Sequence, residues 1–167
     1  MNAIVQPPTA PEAAAFNVAT TTLNGWRGRC LAYLASAEAA VSEALIGFAE
    51  RDCTSPLPHL VGQRYDALAT ILTAHGDQDT REALKALRAH DSLRTALTHG
   101  VAKVTLDRNG EWLAVFTVIA FRSRRAERSI LVIEEQQAGR IAQQLGRDRQ
   151  RLIARLRYLT PPASPAA

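Results

Sequence analysis

An arginine and a histidine lie five positions apart in the segment SLRTALTHG, residues 92–100. They are Arg94 and His99. Imidazole titrates near neutral pH, so a histidine can transfer protons in a reaction. Guanidinium carries a planar fork of donors that matches a phosphate group. The two side chains could therefore act on a phosphate without a metal, provided that the fold brings both of them to one cleft.

The helix that carries this pair constrains how the two side chains can meet. Five residues on a helix leave them about 140° apart in azimuth. Convergence requires a broad cleft, a distorted last turn, or a second subunit that supplies the matching pair across a two-fold interface. The alternative is electrostatic only, because cations near a helix C-terminus are favourable without any function.

Hydrophobic periodicity predicts three helices, of which the third contains Arg94 and His99. The first runs from about Thr22 to Glu50, and its apolar stripe is Trp26, Cys30, Leu34, Ala37, Val41, Leu45 and Phe48. Pro58 starts the second, which ends near Gly76, a residue suited to a left-handed conformation. Asp79 is the expected N-cap of the third, with Glu82 three residues later. That helix ends at Gly100, and Asp91 or Ser92 interrupts it.

After Gly100 the apolar period becomes two. The segments VAKVTL and EWLAVFTVIAF flank DRNG, whose Asn-Gly step predicts a hairpin, and SILVI predicts a third strand. A last helix follows Glu134 and Glu135. The predicted fold is mainly α, a bundle of about four helices with an antiparallel β-hairpin or meander inserted before the last helix.

This helix–RTALTHG–hairpin arrangement resembles the HEPN superfamily of small α-helical proteins. The family signature is an arginine, a polar residue, a few variable positions and a histidine, often followed by glycine, which maps onto Arg94, Thr95, His99 and Gly100. Thr95 stands where active members most often carry asparagine. The resemblance covers Thr22 to Leu159 as an order of elements, and residues 93–101 as a motif.

The resemblance implies a homodimer in which Arg94 and His99 face a cleft at a two-fold interface. It further implies RNA-directed activity, of which a metal-independent endoribonuclease of toxin or defence type is one form, with a cognate antitoxin as a partner. In that reaction a ribose 2′-hydroxyl attacks its neighbouring phosphate, His99 transfers a proton and Arg94 stabilises the extra negative charge. Thr95, His90 and Asp91 are the supporting residues. The alternative is a non-catalytic helical module that binds a partner protein or RNA.

Positive charge is concentrated in the last third of the chain. Residues 122–158 carry a net charge of +6, whereas the whole chain carries +4. Such a patch attracts a phosphate backbone, and a solvated arginine-rich helix face is the alternative. The arginines expected to bind nucleic acid are Arg122, Arg124, Arg125, Arg128, Arg147 and Arg151.

Other features bound the class of protein. Residues 1–19 and 160–167 are Pro- and Ala-rich and are expected to be disordered tails around a single domain, residues 20–159. Cys30 and Cys53 suit small apolar positions in a reducing compartment. No signal peptide is recognisable and no continuous apolar run approaches the length of a membrane span, which predicts a cytoplasmic protein without a membrane partner.

The segment HGDQD offers His75, Asp77 and Asp79 as conceivable metal ligands. A helix end followed by an acidic N-cap explains the same three residues, so no metal is predicted. Phosphate-binding loops, dinucleotide fingerprints, nucleophile elbows and zinc-protease motifs are absent from the sequence, and no cofactor is predicted.

Overall fold

The computed structural model describes residues 9–52, 58–122 and 125–159, and side chains throughout these ranges except at positions 51, 52, 121, 122 and 125. The elements in these ranges are α1 (Ala10–Asp52), α2 (Val61–Ala74), α3 (Gln78–Arg88), α4 (Asp91–His99), β1 (Val101–Leu106), β2 (Trp112–Arg122), β3 (Arg125–Glu134) and α5 (Glu135–Leu159). The predicted fold class is therefore confirmed: mainly α, with a meander before the last helix.

The chain forms two compact units. Unit 1 comprises Met1–Arg29 and Thr95–Ala142, and unit 2 comprises Cys30–Arg94 and Gln143–Ala167. Unit 1 holds the sheet, and unit 2 holds α2 and α3. The single domain expected over residues 20–159 stays a prediction. The expected C-terminal tail lies outside the described residues, as does Cys53.

Helix α1 begins at Ala10, so the expected start near Thr22 and the disorder expected up to residue 19 are wrong for residues 10–19. The run PEAAAFNVATT lacks an apolar stripe of full length, yet it is rich in alanine, the best helix former. Glu12 also accepts hydrogen bonds from the backbone N–H and hydroxyl of Thr9, 2.7 and 2.8 Å long, at the helix start. All seven residues of the predicted stripe are buried.

Residues Ala10–Glu50 of α1 are long and apolar enough to cross a membrane by length and composition alone. Buried helices of soluble proteins and N-terminal signals meet the same criterion. About a third of the most apolar window is buried inside the protein. The expected cytoplasmic location therefore stays a prediction.

The boundaries of α2 and α3 differ in detail from those predicted. Helix α2 starts at Val61, three residues after Pro58, and Gly76 beyond its end adopts the expected left-handed conformation with φ 70°. The N-cap of α3 is Asp77, and the prediction of Asp79 is wrong. The Asp77 carboxylate accepts hydrogen bonds from the backbone N–H and hydroxyl of Thr80, 3.0 and 2.7 Å long. A break at Ala89–His90 separates α3 from α4, which confirms the predicted interruption.

The sheet is a meander of strand order β1-β2-β3, antiparallel throughout. Asp107, Asn109 and Gly110 form the predicted hairpin turn, in which Gly110 has φ 81°. The Asp107 carboxylate accepts from the backbone N–H groups of Asn109 and Glu111, at 2.8 and 2.9 Å. Strand β3 is longer than predicted, since it extends from Arg125 to Glu134.

In unit 1, aromatic side chains form the core on one face of the sheet. Trp26 lies 6.3 Å from Trp112 and 6.4 Å from Phe116 between ring centroids. The indole N–H of Trp26 donates a buried 2.7 Å hydrogen bond to the carbonyl oxygen of Ala138. The Arg27 guanidinium lies 5.9 Å from the centroid of the Phe116 ring. These contacts hold α1, the sheet and the start of α5 together within unit 1.

Unit 2 is an all-helical core. Its largest fully buried side chains come from α1, α2, α3 and α5: Val41, Tyr65, Leu68, Leu72, Leu84, Leu87, Leu145 and Leu152. Leu60 precedes α2 and is 65% exposed.

Candidate functional site

Helix α4 carries both members of the predicted pair. It is continuous from Asp91 to His99, so Arg94 lies in its first turn and His99 is its last residue. The helix ends at Gly100 because the chain approaches itself closely there: a Cβ at this position would clash with the carbonyl oxygen of Ala96 and would lie 3.4 Å from the Cβ of Phe116. Gly100 thus permits a direct turn from helix into β1, as the sequence predicted.

Arg94 forms an ion pair in unit 2. Its Nε donates a 2.6 Å hydrogen bond to Oε1 of Glu38 on α1, and the two side chains are 30% and 22% exposed. A charge-assisted contact of this length orients the guanidinium firmly. One edge of the fork is therefore occupied by a carboxylate instead of facing open solvent.

His99 belongs to unit 1 and is exposed. Thr95 next to the arginine is exposed as well. An exposed imidazole at a helix end can reach an external phosphate without any rearrangement of the core. Arg94 lies in unit 2, whereas His99 lies in unit 1.

His90, expected as a supporting residue, pairs with an acid of α5. Its Nε2 lies 2.9 Å from Oδ2 of Asp148, and the two side chains are 16% and 11% exposed. Gln144 Nε2 donates to the other carboxylate oxygen at 2.9 Å. Both oxygens of this buried acid are thereby satisfied, as burial of a carboxylate requires. The contact joins α5 to the α3–α4 break within unit 2.

A polar cluster in unit 2 surrounds a buried phenol. The Tyr65 hydroxyl is buried and has no hydrogen-bond partner among the described residues. Burial, and then the negative charges of Glu38 and Asp91, raise the pKa of Tyr65 well above its ordinary value. Burial likewise raises the pKa of Asp91, whereas the nearby Arg88 and Arg94 lower it in part. These effects disfavour ionisation of the Tyr65 hydroxyl even more than in an exposed tyrosine.

The six predicted nucleic-acid-binding arginines fall into three groups. Arg124 lies outside the described residues, and Arg122 and Arg125 lie in β2 and β3 with side chains that are not described. Arg128 is exposed on β3 in unit 1. Arg147 and Arg151 are exposed on the part of α5 that belongs to unit 2. The structure brings only the last two onto one element among the described side chains.

The acidic side chains of α5 are used inside the protein. Asp148 is buried against His90, and Glu135 accepts a 3.1 Å hydrogen bond from the backbone N–H of Trp112. Every exposed charged residue of α5 is positive: Arg140, Arg147, Arg151, Arg155 and Arg157. Among the described residues, Arg155 is the only one of these five with an ion pair, to Asp79 at 2.9 Å, so the outward face of this helix carries net positive charge.

Two residues of interest were not singled out from the sequence. Tyr158 is 85% exposed. It follows Arg151 by seven positions, the spacing that places two residues on one helix face, and this spacing could have identified it. The other is Glu38, the acid that pairs with Arg94; no short-range pattern in the sequence relates the two residues.

The residues of HGDQD have separate structural roles. His75 stacks on Phe48 with 5.7 Å between ring centroids, Asp77 caps α3, and Asp79 pairs with Arg155. Within the described ranges, no three His, Cys, Asp or Glu side chains lie close enough to hold a metal ion.

A shallow cavity of about 280 Å³ between α2 and α3 is lined by Arg81, Lys85 and Arg88. Arg88 already pairs with Asp66 at 2.7 Å, and Lys85 lies 4.0 Å from Glu82. Its charges are therefore largely matched by neighbouring acids, in contrast to the face of α5.

Comparison with known proteins finds no matching protein-family model, no matching curated protein and no matching solved structure. The HEPN resemblance therefore stays a prediction that rests on the motif and the order of elements.

Proposed function

We propose that this protein binds RNA, with the outward face of α5 as the surface that contacts the phosphate backbone. The observation that carries the proposal is the charge of this face: its arginines are exposed while the two acids of α5 are occupied within the protein. Arg147 and Arg151 lie one turn apart on the helix and thus about 6 Å apart along its axis. Such a pair can contact nearby phosphates of one strand.

Tyr158 adds a different kind of contact to this surface. It follows Arg147 by eleven residues and Arg151 by seven, so the three side chains share one face of α5. An exposed aromatic ring next to cations offers a stacking platform for an unpaired base, and stacking of this kind is worth about 1–3 kcal/mol. The combination favours single-stranded RNA over a duplex, whose bases are already stacked.

Both arginines are available to a phosphate, since the described hydrogen bond of Arg147 is to the neutral Gln144 at 2.8 Å. Arg151 has no hydrogen bond or ion pair with the described residues. Neither guanidinium must break an ion pair with a described acid before it can bind an anion. That lowers the cost of binding relative to Arg155 or Arg88, which are each paired with an aspartate.

The binding test uses fluorescence anisotropy with a labelled single-stranded RNA over a range of salt concentrations. We expect Arg147→Gln/Arg151→Gln to weaken binding and to reduce the slope of log K against log salt by about 1.4, because each lost phosphate contact removes about 0.7. Tyr158→Ala should weaken binding and leave that slope unchanged, because stacking releases no counterions.

The matched control is Arg29→Gln/Arg108→Gln, which removes the same charge from exposed positions outside α5. It should alter affinity and slope much less than the α5 variant does. Equal effects of the two double variants would mean that only net charge matters and would overturn the proposed surface. Absence of RNA binding at low salt would overturn the function.

We further propose that Arg94 and His99 are the residues through which bound RNA would be cleaved. The exposure of His99 supports this extension, whereas the Arg94–Glu38 ion pair favours the alternative of a module that binds without cutting. Under the first proposal the protein cleaves single-stranded RNA in EDTA: the 2′-hydroxyl displaces the 5′-oxygen of the next nucleotide, which leaves a cyclic phosphate end and a 5′-hydroxyl end. Under the second, binding persists without cleavage and survives His99→Ala. The homodimer, the antitoxin partner and the cytoplasmic location belong to the same proposal and follow from the resemblance alone.

Cleavage by the His99→Ala protein at the wild-type rate would reject the catalytic role of His99. Arg94→Lys is the companion variant, because lysine retains the charge and loses the bidentate fork. Glu38→Gln serves as the control. This substitution removes the ion pair with Arg94 but changes neither of the two proposed catalytic residues.

A further inference from the structure

The sheet of unit 1 has a second face that its own core does not cover. Alternate residues of β2 are buried: Trp112, Ala114, Phe116 and Val118. The intervening residues Leu113, Val115, Thr117 and Ile119 therefore point to the opposite side. We call that side the open face.

The register of the strands fixes which side chains are neighbours on the open face. One row consists of Lys103, Val115 and Val132, and the next consists of Val101, Thr117 and Ile130. Leu113 pairs with Glu134 at one end of the face, and Ile119 pairs with Arg128 at the other.

The middle of this face is exposed and mostly apolar, with Lys103 at its β1 edge as the one charged residue. Val101 is 69% exposed, Ile130 61%, Ile119 56% and Val132 45%. These four residues make up nearly half of the nine large hydrophobic side chains that are exposed in the described parts of the chain. Large apolar side chains that cluster on one surface mark an interaction site far more often than scattered ones do.

The charges on β3 are arranged symmetrically about this apolar middle. Arg128 lies three residues before Leu131 and Glu134 lies three residues after it, with Ile130 and Val132 between them. A two-fold axis that crosses the strands near Leu131 reverses the order of the rows in a second copy. It then places Arg128 of each copy opposite Glu134 of the other, and Ile130 opposite Val132.

We propose that the open face binds the open face of a second copy of this chain, with the two-fold axis perpendicular to the strands. The reciprocal Arg128–Glu134 placement favours this occupant, since a partner of uniform charge would be repelled at one end of the face. A nucleic acid is disfavoured because the middle of the face is mostly apolar. The proposal does not rest on RNA binding, which concerns α5 in unit 2. It also uses a different surface from the dimer that the HEPN resemblance implies, because the open face contains neither Arg94 nor His99.

The dimensions of the face set the strength of this contact. Three strands about 4.8 Å apart and about seven residues of β2 at 3.4 Å each cover roughly 14 by 24 Å. The area of the open face is therefore well below the roughly 800 Å² per partner that stable complexes bury. We therefore expect a reversible dimer that forms at tens to hundreds of micromolar, and a monomer at high dilution.

Sedimentation equilibrium of the full chain between about 5 µM and 1 mM tests the proposal. We expect the mean mass to rise towards that of a dimer. Ile119→Lys should raise the dissociation constant at least about 10-fold, because each dimer would then bury two charges in an apolar contact. Leu60→Lys is the matched control, since Leu60 is 65% exposed in unit 2, and it should leave the dissociation constant unchanged.

Charge exchange tests the proposed geometry. Glu134→Arg should weaken the dimer about 10-fold by placing two arginines opposite each other, and Arg128→Glu/Glu134→Arg should restore it to within about 3-fold of wild type. Far-ultraviolet circular dichroism checks that each variant remains folded. A chain that stays monomeric at about 1 mM would overturn the proposal, as would a dimer that Ile119→Lys leaves intact, because pairing through the edge of β3 does not use Ile119.

Discussion

Nε of Arg94 and Oε1 of Glu38 are joined by a 2.6 Å hydrogen bond that bridges 56 residues of chain. The arginine of the predicted motif is therefore also a structural residue of unit 2. Loss of activity on removing Arg94 would be ambiguous unless its effect on folding is measured separately.

Arg94→Ala should lower the free energy of unfolding by about 1–3 kcal/mol, because it leaves a mostly buried carboxylate without this partner. Arg94→Ala/Glu38→Ala should cost less than the sum of the single variants. Urea denaturation of the wild type, the two single variants and the double variant measures the coupling.

The same cycle on Arg88 and Asp66 provides the control. That pair is nearly as short, at 2.7 Å, but its side chains are 38% and 65% exposed, so its coupling should be below about 1 kcal/mol. Strictly additive effects at Arg94 and Glu38 would show that their contact contributes nothing to stability.

The Asp77 cap predicts a pH-dependent contribution to stability. Hydrogen bonds from Thr80 hold the pKa of Asp77 below its ordinary value of 3.8. A lowered pKa in the folded state stabilises the protein above pH 3.8, and this contribution is lost as the pH falls through the folded pKa. Asp77→Ala should thus cost about 1 kcal/mol at pH 7, and the difference from wild type should shrink below pH 4.

Asp77→Asn is the matched variant for the cap, since asparagine also caps helices but does not titrate as an acid. Its stability at pH 7 should be close to that of the wild type, and its pH profile should be flatter between pH 2 and 5. Thermal unfolding followed at several pH values measures both profiles. An Asp77→Ala deficit that is unchanged at low pH would contradict the assigned cause.

Gly100→Ala should destabilise the protein by about 1–3 kcal/mol, because the added methyl group meets backbone atoms of α4 that cannot move aside. Gly28→Ala serves as the control, as Gly28 lies in α1 with nothing within 4 Å of an added Cβ. There the substitution should stabilise by about 0.5–1 kcal/mol through helix propensity. A denaturant midpoint below that of the wild type for Gly100→Ala, and above it for Gly28→Ala, would confirm both statements.

Tyr65→Phe should leave stability unchanged or raise it by up to about 1 kcal/mol. The hydroxyl is buried without a partner among the described residues, so its removal relieves a desolvation cost and leaves the ring packed. Phe116→Leu, which shrinks a buried ring of the other unit, provides the contrast and should be destabilising. A loss above about 1 kcal/mol in Tyr65→Phe would show that the hydroxyl does make a stabilising hydrogen bond.

Local patterns in the sequence predicted the elements well. The stripe from Trp26 to Phe48, the Asn-Gly hairpin and the end of α4 at Gly100 all follow from short-range spacing or from the conformational needs of one residue. The start of α1 was wrong because an alanine-rich segment forms a helix without a continuous apolar stripe. The cap of α3 was wrong because Asp77 and Asp79 satisfy the same local rule, and the contact with Thr80 decides between them.

The surroundings of the candidate site could not be predicted in the same way. Glu38 and Arg94, and likewise His90 and Asp148, are 56 and 58 residues apart, and no local rule relates such positions. The same is true of the charge on α5. Its sequence contains acids as well as arginines, and only tertiary contacts show that the acids face inward.

The mirrored order of charges along β3 limits the size of the assembly that this protein would form. A face that matches itself about a two-fold axis is consumed when two chains meet, and neither chain keeps a free copy of it for a third. Lys103, exposed in the middle of edge strand β1, further discourages growth of the sheet sideways. As the protein concentration rises, the mean mass should therefore level off at that of a dimer, instead of increasing further through growing fibres.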